Sequence, residues 1–239
     1  MKPYSALALS ALIAAPAALA VDTSYSPGQW VVRGGLTQVE PREDSDNIKA
    51  NGEVLLLGGT LMSPGQPSSV GIDNDIQLGL TVEYMLDANW GLELLAATPF
   101  EHTATGKGAI GGLDIADFKH LPPTLSAVYH FTAINGFQPY VGAGINYTFI
   151  YDEELTSDAK AAFSGLGLEG GKMKLDDSIG PSLQVGADYH VNEQWLINAS
   201  ARWIDIDTEA KIKFDGGTTL TSDIEVDPMV YTVSVGYKF

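Results

Sequence analysis

The residues of this chain whose types could do chemistry begin with its four histidines, His102, His120, His130 and His190. Ser126, His130 and Asp188 supply the residue types of a nucleophile, a general base and an orienting acid. Nothing like G-x-S-x-G frames a serine, and any chain with many inward polar residues offers such triples, so no enzymatic activity is expected. His130 and His190 could ligate a metal, yet two imidazoles without a close third ligand motif are weaker as a site than as partners of Asp188 or Glu83. Asp152, Glu153, Glu154, Asp158, Asp176 and Asp177 crowd one segment without the spacing of an EF-hand, and read as solvated surface. No metal or cofactor is expected.

A larger set of charges needs a different explanation. Arg33, Glu83, Glu93, His130, Asp188, His190, Lys238 and Arg202 each sit between apolar residues. The elements that hold them are strands. At the C-terminus Met229, Tyr231, Val233, Val235, Tyr237 and Phe239 alternate with Thr232, Ser234, Gly236 and Lys238. Period two gives a strand two different faces. The same alternation starts from Trp30, Ile76, Trp90, Leu125, Val141, Leu183 and Trp195, which makes eight strands in all. It slips after Trp203, where Ile204 and Ile206 exchange faces with Asp205 and Asp207, so a bulge or the membrane exit is expected there.

The connections are unequal. Three are short, from Asp87 to Asn89, from Thr132 to Phe137 and from Asn192 to Gln194; four are long and polar, at about 41–74, 101–119, 152–178 and 211–223. Short periplasmic turns alternating with long extracellular loops, both chain ends in the periplasm, is the pattern of a membrane barrel. Tyr84 and Trp90 flank the first turn as Tyr189 and Trp195 flank the third, at identical spacing. An all-β, eight-stranded antiparallel transmembrane β-barrel is therefore expected, with lipid outside and small or polar side chains inside. In a soluble sandwich the apolar faces would instead meet in a core.

Composition agrees. Residues 1–20 carry one positive charge at Lys2, an apolar stretch from Tyr4 and the ending Ala18-Leu19-Ala20, which reads as a signal peptide, leaving 21–239 as the barrel domain. No later stretch is apolar over the ~18–20 residues that a helical span needs. A net charge of −17 argues against nucleic acid as a partner, since phosphates call for clustered Lys and Arg. Without cysteine, the fold depends on its packing and its membrane.

Placed on these strands, Arg33, Glu83, Glu93, His130, Asp188, His190 and Lys238 point inward in the periplasmic half, with Arg202 somewhat higher, and should pair as a charged lumen floor. Val39, Leu95, Ala97, Ile150 and Val230 point inward toward the outer end, where they make an apolar upper lumen. Trp30, Tyr84, Trp90, Tyr129, Tyr189, Trp195, Tyr237 and Phe239 fall on the lipid side of the periplasmic ends, as an aromatic girdle. Pro99 ends the third strand, and Pro122 and Pro123 begin the fourth. Proline cannot donate to a ladder, so the wall between these strands should be incomplete near the outer leaflet.

The stretches ADFKHLPPTLSAVYHF (116–131), PYVGAGINYTF (139–149), WLINASARWIDIDTEA (195–210) and VDPMVYTVSVGYKF (226–239), with WGLELLAATPF (90–100), resemble the OmpW family of outer-membrane proteins over nearly the whole mature chain. Ile179 and Met229 stand where the family is expected to carry Trp. The resemblance implies a narrow, partly hydrophobic lumen in the outer membrane of a Gram-negative bacterium, passive uptake of small hydrophobic molecules, and a side opening at Pro99, Pro122 and Pro123 that would act as a lateral gate. A narrow pore for ions or small polar solutes, and a surface-interaction barrel acting through its loops, are the alternatives. The expected partners are outer-membrane lipid and lipopolysaccharide, the hydrophobic molecules themselves and, from the terminal Phe239, the barrel-assembly machinery.

Overall fold

The computed structural model describes residues 25–42, 44–45, 48–51, 53–54, 68–108 and 110–239; the signal peptide expected at 1–20 and part of the first long connection lie outside them. Eight strands form the wall: β1 (Trp30–Glu40), β2 (Asp75–Met85), β3 (Trp90–Ala97), β4 (Thr124–His130), β5 (Phe137–Leu155), β6 (Ser178–His190), β7 (Trp195–Ile204) and β8 (Met229–Lys238). Each pairs antiparallel with its sequence neighbours, and β1 meets β8 in an unbroken register from Val31↔Lys238 to Glu40↔Met229, so the barrel is closed. Closure gives every strand a partner on both sides, the condition for strands in hydrocarbon.

Alternation decides the two faces. Leu36, Leu78, Leu94, Leu125, Ile145, Leu183 and Val235 are exposed around the outside, whereas Thr37, Glu93, Ser126, Asn146 and Gln184 are buried within. Glycine makes space for the large inward groups. A Cβ at Gly91 would collide with the Glu83 carboxylate, and one at Gly186 with the Tyr140 ring.

The short turns carry their own signals. Asp87 Oδ1 accepts from the Asn89 and Trp90 amides, both at 2.7 Å, and Asn192 Oδ1 accepts from those of Gln194 and Trp195 at 2.9 and 2.8 Å. The repeated Tyr/Trp spacing thus reflects the same side-chain-stabilised turn used twice. Between β4 and β5, Asn135 (φ 51°) and Gly136 (φ 82°) occupy the left-handed region that a two-residue hairpin requires.

Among the described residues the long connections carry regular structure. The hairpin Phe100–Gly108/Asp114–Leu121 extends β3 and β4 outward, Asp207–Lys213/Thr219–Glu225 forms a second hairpin, and β5 runs on for 19 residues. A helix, Ser157–Gly165, begins where Thr156 Oγ1 accepts from the Ala159 amide at 3.0 Å. These elements enclose Ile115, Leu155, Ile212, Phe214 and Leu220 as an apolar cluster. The expected slip after Trp203 is an interruption at 205–206, with Ile204 and Ile206 both turned inward.

Candidate functional site

The floor residues meet in two tiers. In the lower, Arg33 donates from Nη2 and Nε to Asp188 at 2.8 and 3.2 Å, and from Nη1 to Glu83 Oε2 at 2.7 Å; His130 Nε2 donates to the other Glu83 oxygen at 2.7 Å. In the upper, Arg202 donates to Glu93 at 2.7 Å, Gln184 at 2.6 Å and Ser126 at 2.9 Å. Arg33 Nη1 lies 3.6 Å from Glu93 and joins the tiers. All of these side chains are buried, and each charge faces an opposite one, as survival away from water demands. His190 pairs separately with Gln138 at 2.7 Å.

This arrangement bears on the chemistry considered for Ser126, His130 and Asp188. Ser126 accepts from Arg202 while His130 turns to Glu83, and His130 Nδ1 stands 3.9 Å from Asp188, so the three are not linked as a relay. Among the described residues no three His, Asp or Glu side chains are grouped to hold a metal ion.

Sequence reasoning missed Tyr25. The segment before β1 tucks this residue up into the barrel mouth, where its hydroxyl donates to Asp188 Oδ2 at 2.6 Å. Its ring lies 4.7 Å from His130 and 5.5 Å from His190, and Lys238 Nζ stands 5.7 Å from its centre. With Val31, Met85 and Leu196 it caps the floor from below. Tyr140, also buried, accepts from Asn198 at 2.9 Å behind Arg33.

The five residues expected to line an upper lumen separate. Val39 and Val230 pack with Phe100, Ile204 and Ile206, and with Ala97 beside them, as an apolar waist across the barrel; Leu95 is buried opposite Thr124. Ile150 belongs higher, with Ala104, Phe118 and Leu175. Above the waist, within the extended hairpins, is a cavity of about 270 Å³ lined by residues including Val39, Ile72, Phe118, Ile150, Phe163 and Met173. Its volume is roughly twenty times the ~10–15 Å³ that one water needs. The apolar space therefore lies in a canopy over the barrel, and side chains fill the lumen beneath it.

The ladder between β3 and β4 lapses at the level of the waist, next to His120 of the cavity lining. Pairing of β3 with β4 stops at Leu95↔Thr124 and resumes in the hairpin above at Phe100↔His120, leaving 96–99 and 121–123 unpaired across the seam. Pro99, Pro122 and Pro123 all fall in that stretch. Each side is held from behind: the Thr98 amide donates to Leu78 at 2.9 Å, and the Pro123 carbonyl accepts from the Tyr147 amide at 3.1 Å.

At the opposite rim, aromatic rings pair on the outer surface: Trp30 with Tyr84 at 4.9 Å, Trp90 with Tyr129 at 5.0 Å, Trp195 with Tyr237 at 4.9 Å and Tyr237 with Phe239 at 4.7 Å. Tyr189 lies opposite Phe137 on the same rim.

A closed barrel of eight strands, apolar outside, polar within and bounded by short turns at one end, defines a small integral β-barrel of the Gram-negative outer membrane. The sequence model of the OmpW family matches residues 26–239, and the chain belongs to that family. Outer membrane protein W of Escherichia coli (strain K12) is 42% identical over 231 residues, 93% of this chain and 97% of that one. The crystal structure of the outer membrane protein OprG from Pseudomonas aeruginosa matches with a TM-score of 0.78 and 40% identity, over 91% of this chain and 98% of that one. A more distant relative from Pseudomonas aeruginosa, the dibenzothiophene metabolism operon protein PahQ, is 25% identical over 92% of this chain and 93% of its own.

Proposed function

We propose that this barrel is a passive channel for small hydrophobic molecules, which enter the canopy from outside and leave sideways through the seam between β3 and β4 into the outer membrane. One observation carries the reading: the β3/β4 ladder lapses next to His120, a lining residue of the apolar cavity, whereas buried ion pairs fill the lumen below the waist. An apolar molecule in the cavity gains by entering hydrocarbon and would lose by passing the charged floor. Arg33, Glu83, Glu93, His130, Asp188, His190, Arg202 and Lys238 accordingly serve as closure, and Pro99, Pro122 and Pro123 as the gate. The rings from Trp30 to Phe239 anchor the lower rim at the lipid interface. The name of PahQ supports the substrate class, since dibenzothiophene is a compact apolar molecule.

The test is uptake of an apolar fluorescent tracer by cells with and without the protein, beside single-channel recording in planar bilayers. Faster uptake with little conductance is expected. Large, steady conductance would favour a pore for ions or small polar solutes, and silence in both assays a barrel that works through its outer surface.

A further inference from the structure

The canopy has a second face, turned away from the cavity. A short strand, Lys172–Leu175, pairs antiparallel with Asp207–Lys213 at the free edge of the outer sheet. Met173, Leu175, Ala210 and Ile212 of these two strands line the cavity. Alternation then turns Lys172, Lys174, Lys211 and Lys213 outward. The register sets them in two facing pairs, Lys172↔Lys213 and Lys174↔Lys211. Like charges directly opposite one another destabilise a sheet. The chain nevertheless places four of its 13 basic residues in this one array, although its acids number 30.

Among the described residues, Lys211 alone of the four is ion-paired, with Asp176 at 2.8 Å and Glu209 at 2.7 Å. Lys172, Lys174 and Lys213 are exposed. Lysines on a free edge deter pairing with other chains, which would account for Lys172 and Lys174. That role does not extend to Lys213, whose strand is covered on both sides, by Lys172–Leu175 and by Thr219–Glu225.

The height of the array identifies what it meets. Ile179 is the topmost exposed apolar residue of β6, and the Asp207 amide donates to the adjacent Ser178 Oγ at 3.0 Å, which puts Asp207 at the same level. Lys211 and Lys213 follow on the outward face of the strand that begins there. At ~3.3 Å per residue and a tilt of ~40°, they stand about 10–15 Å above that level. The outer leaflet of a Gram-negative outer membrane is lipopolysaccharide, whose inner-core sugars carry phosphate and carboxylate groups just outside the lipid A headgroup. The net charge of −17 opposes a polyanion arriving from solution. A glycolipid anchored beside the wall by its acyl chains is instead held there at high effective concentration.

We propose that Lys172, Lys174 and Lys213, with Lys211 beside them, bind the anionic inner core of a lipopolysaccharide molecule packed against the barrel. Their ammonium groups donate charge-assisted hydrogen bonds to its phosphate and carboxylate oxygens. The site stands whether or not the cavity carries hydrophobic molecules.

The experiment places the full-length barrel in phosphatidylcholine nanodiscs with graded fractions of two purified probes, in buffer free of divalent cations. One is lipopolysaccharide with a phosphorylated inner core; the other is lipid A, which has the same kind of acyl anchor and no core sugars. Binding is read from the backbone amide resonances of residues 172–174 and 211–213. We expect the core-bearing probe to move them at roughly tenfold lower fraction than lipid A, and the difference to shrink as salt is raised. Lys172→Gln, Lys174→Gln and Lys213→Gln together should weaken core binding by about fivefold to tenfold and leave lipid A unaffected. An equal response to both probes in the wild-type protein, or a triple variant that binds the core like wild type, overturns the site. Tighter binding of soluble heparin than of the core-bearing probe overturns it too, in favour of external polyanions. Because the probe comparison and the salt response are read on the wild-type chain, the test holds however well the variant folds.

Discussion

Arg33 and Asp188 meet side by side across the bottom of the barrel, with Nη2 to Oδ2 at 2.8 Å and Nε to Oδ1 at 3.2 Å, both residues fully shielded from solvent. Such a pair costs much to break, because the surviving charge stays buried. Arg33→Met, which strands Asp188 and one side of Glu83, should lower stability by about 3–5 kcal/mol. Adding Asp188→Asn should recover part of that loss. Urea unfolding in lipid vesicles measures both, and an Arg33→Met barrel as stable as wild type would show that the pair does not hold the floor.

Removing the acids should open the same region to ions. With Glu83→Ala and Glu93→Ala together, Arg33 and Arg202 lose their closest carboxylates apart from Asp188. Single-channel conductance should rise severalfold. Tyr25→Ala, which withdraws a cap and leaves the ion pairs, should give a smaller rise. Conductance and stability both unchanged in the double variant would rule out closure by this network.

The seam makes a separate prediction. Pro99→Thr with Pro123→Val restores two amide donors where the β3/β4 ladder lapses. Uptake of apolar tracers should fall severalfold while the heat-modifiable gel shift of a folded barrel persists. Undiminished uptake by a correctly folded double variant would mean that molecules leave by another route.

Acid should loosen the canopy before it loosens the wall. His120 is held to about 3 by burial and by His102, with Asp75 opposing, whereas an unfolded histidine titrates near ~6.5. The unfolded hairpin thus binds more protons between these values, and folded stability declines as pH falls through that window, by at most about 1.4 kcal/mol per unit. Amide exchange in Phe100–Gly108 and Asp114–Leu121, corrected for intrinsic rates, should accelerate from pH 7 to pH 4 while the β1/β8 seam stays protected. His120→Phe should flatten the response. Equal protection of the hairpin at both pH values would refute the proposed linkage.

The barrel was legible in the sequence because lipid imposes the period on every strand, so Leu78 and Val235 announce their faces without knowledge of their neighbours. The partners of Arg33 were not, since a pairing such as Arg33 with Asp188 depends on register across several strands, which one sequence leaves open. Tyr25 escaped because it precedes the first periodic segment and its partner lies 163 residues away. The canopy escaped for another reason. His102, Ala104, Phe118 and His120 do alternate with polar residues, but acidic and glycine-rich surroundings dilute the signal below what a loop also shows.

The length of β5 sets how far the barrel stands above the membrane. Nineteen residues at ~3.3 Å each make a rod of about 63 Å, and a tilt of ~40° turns that into a rise of about 48 Å, nearly twice the ~25 Å apolar band of such barrels. This single strand therefore acts as a ruler that sets the altitude of the mouth. If the proposed uptake route holds, a molecule entering at that height would descend inside protein and meet the membrane for the first time below its polar outer layer.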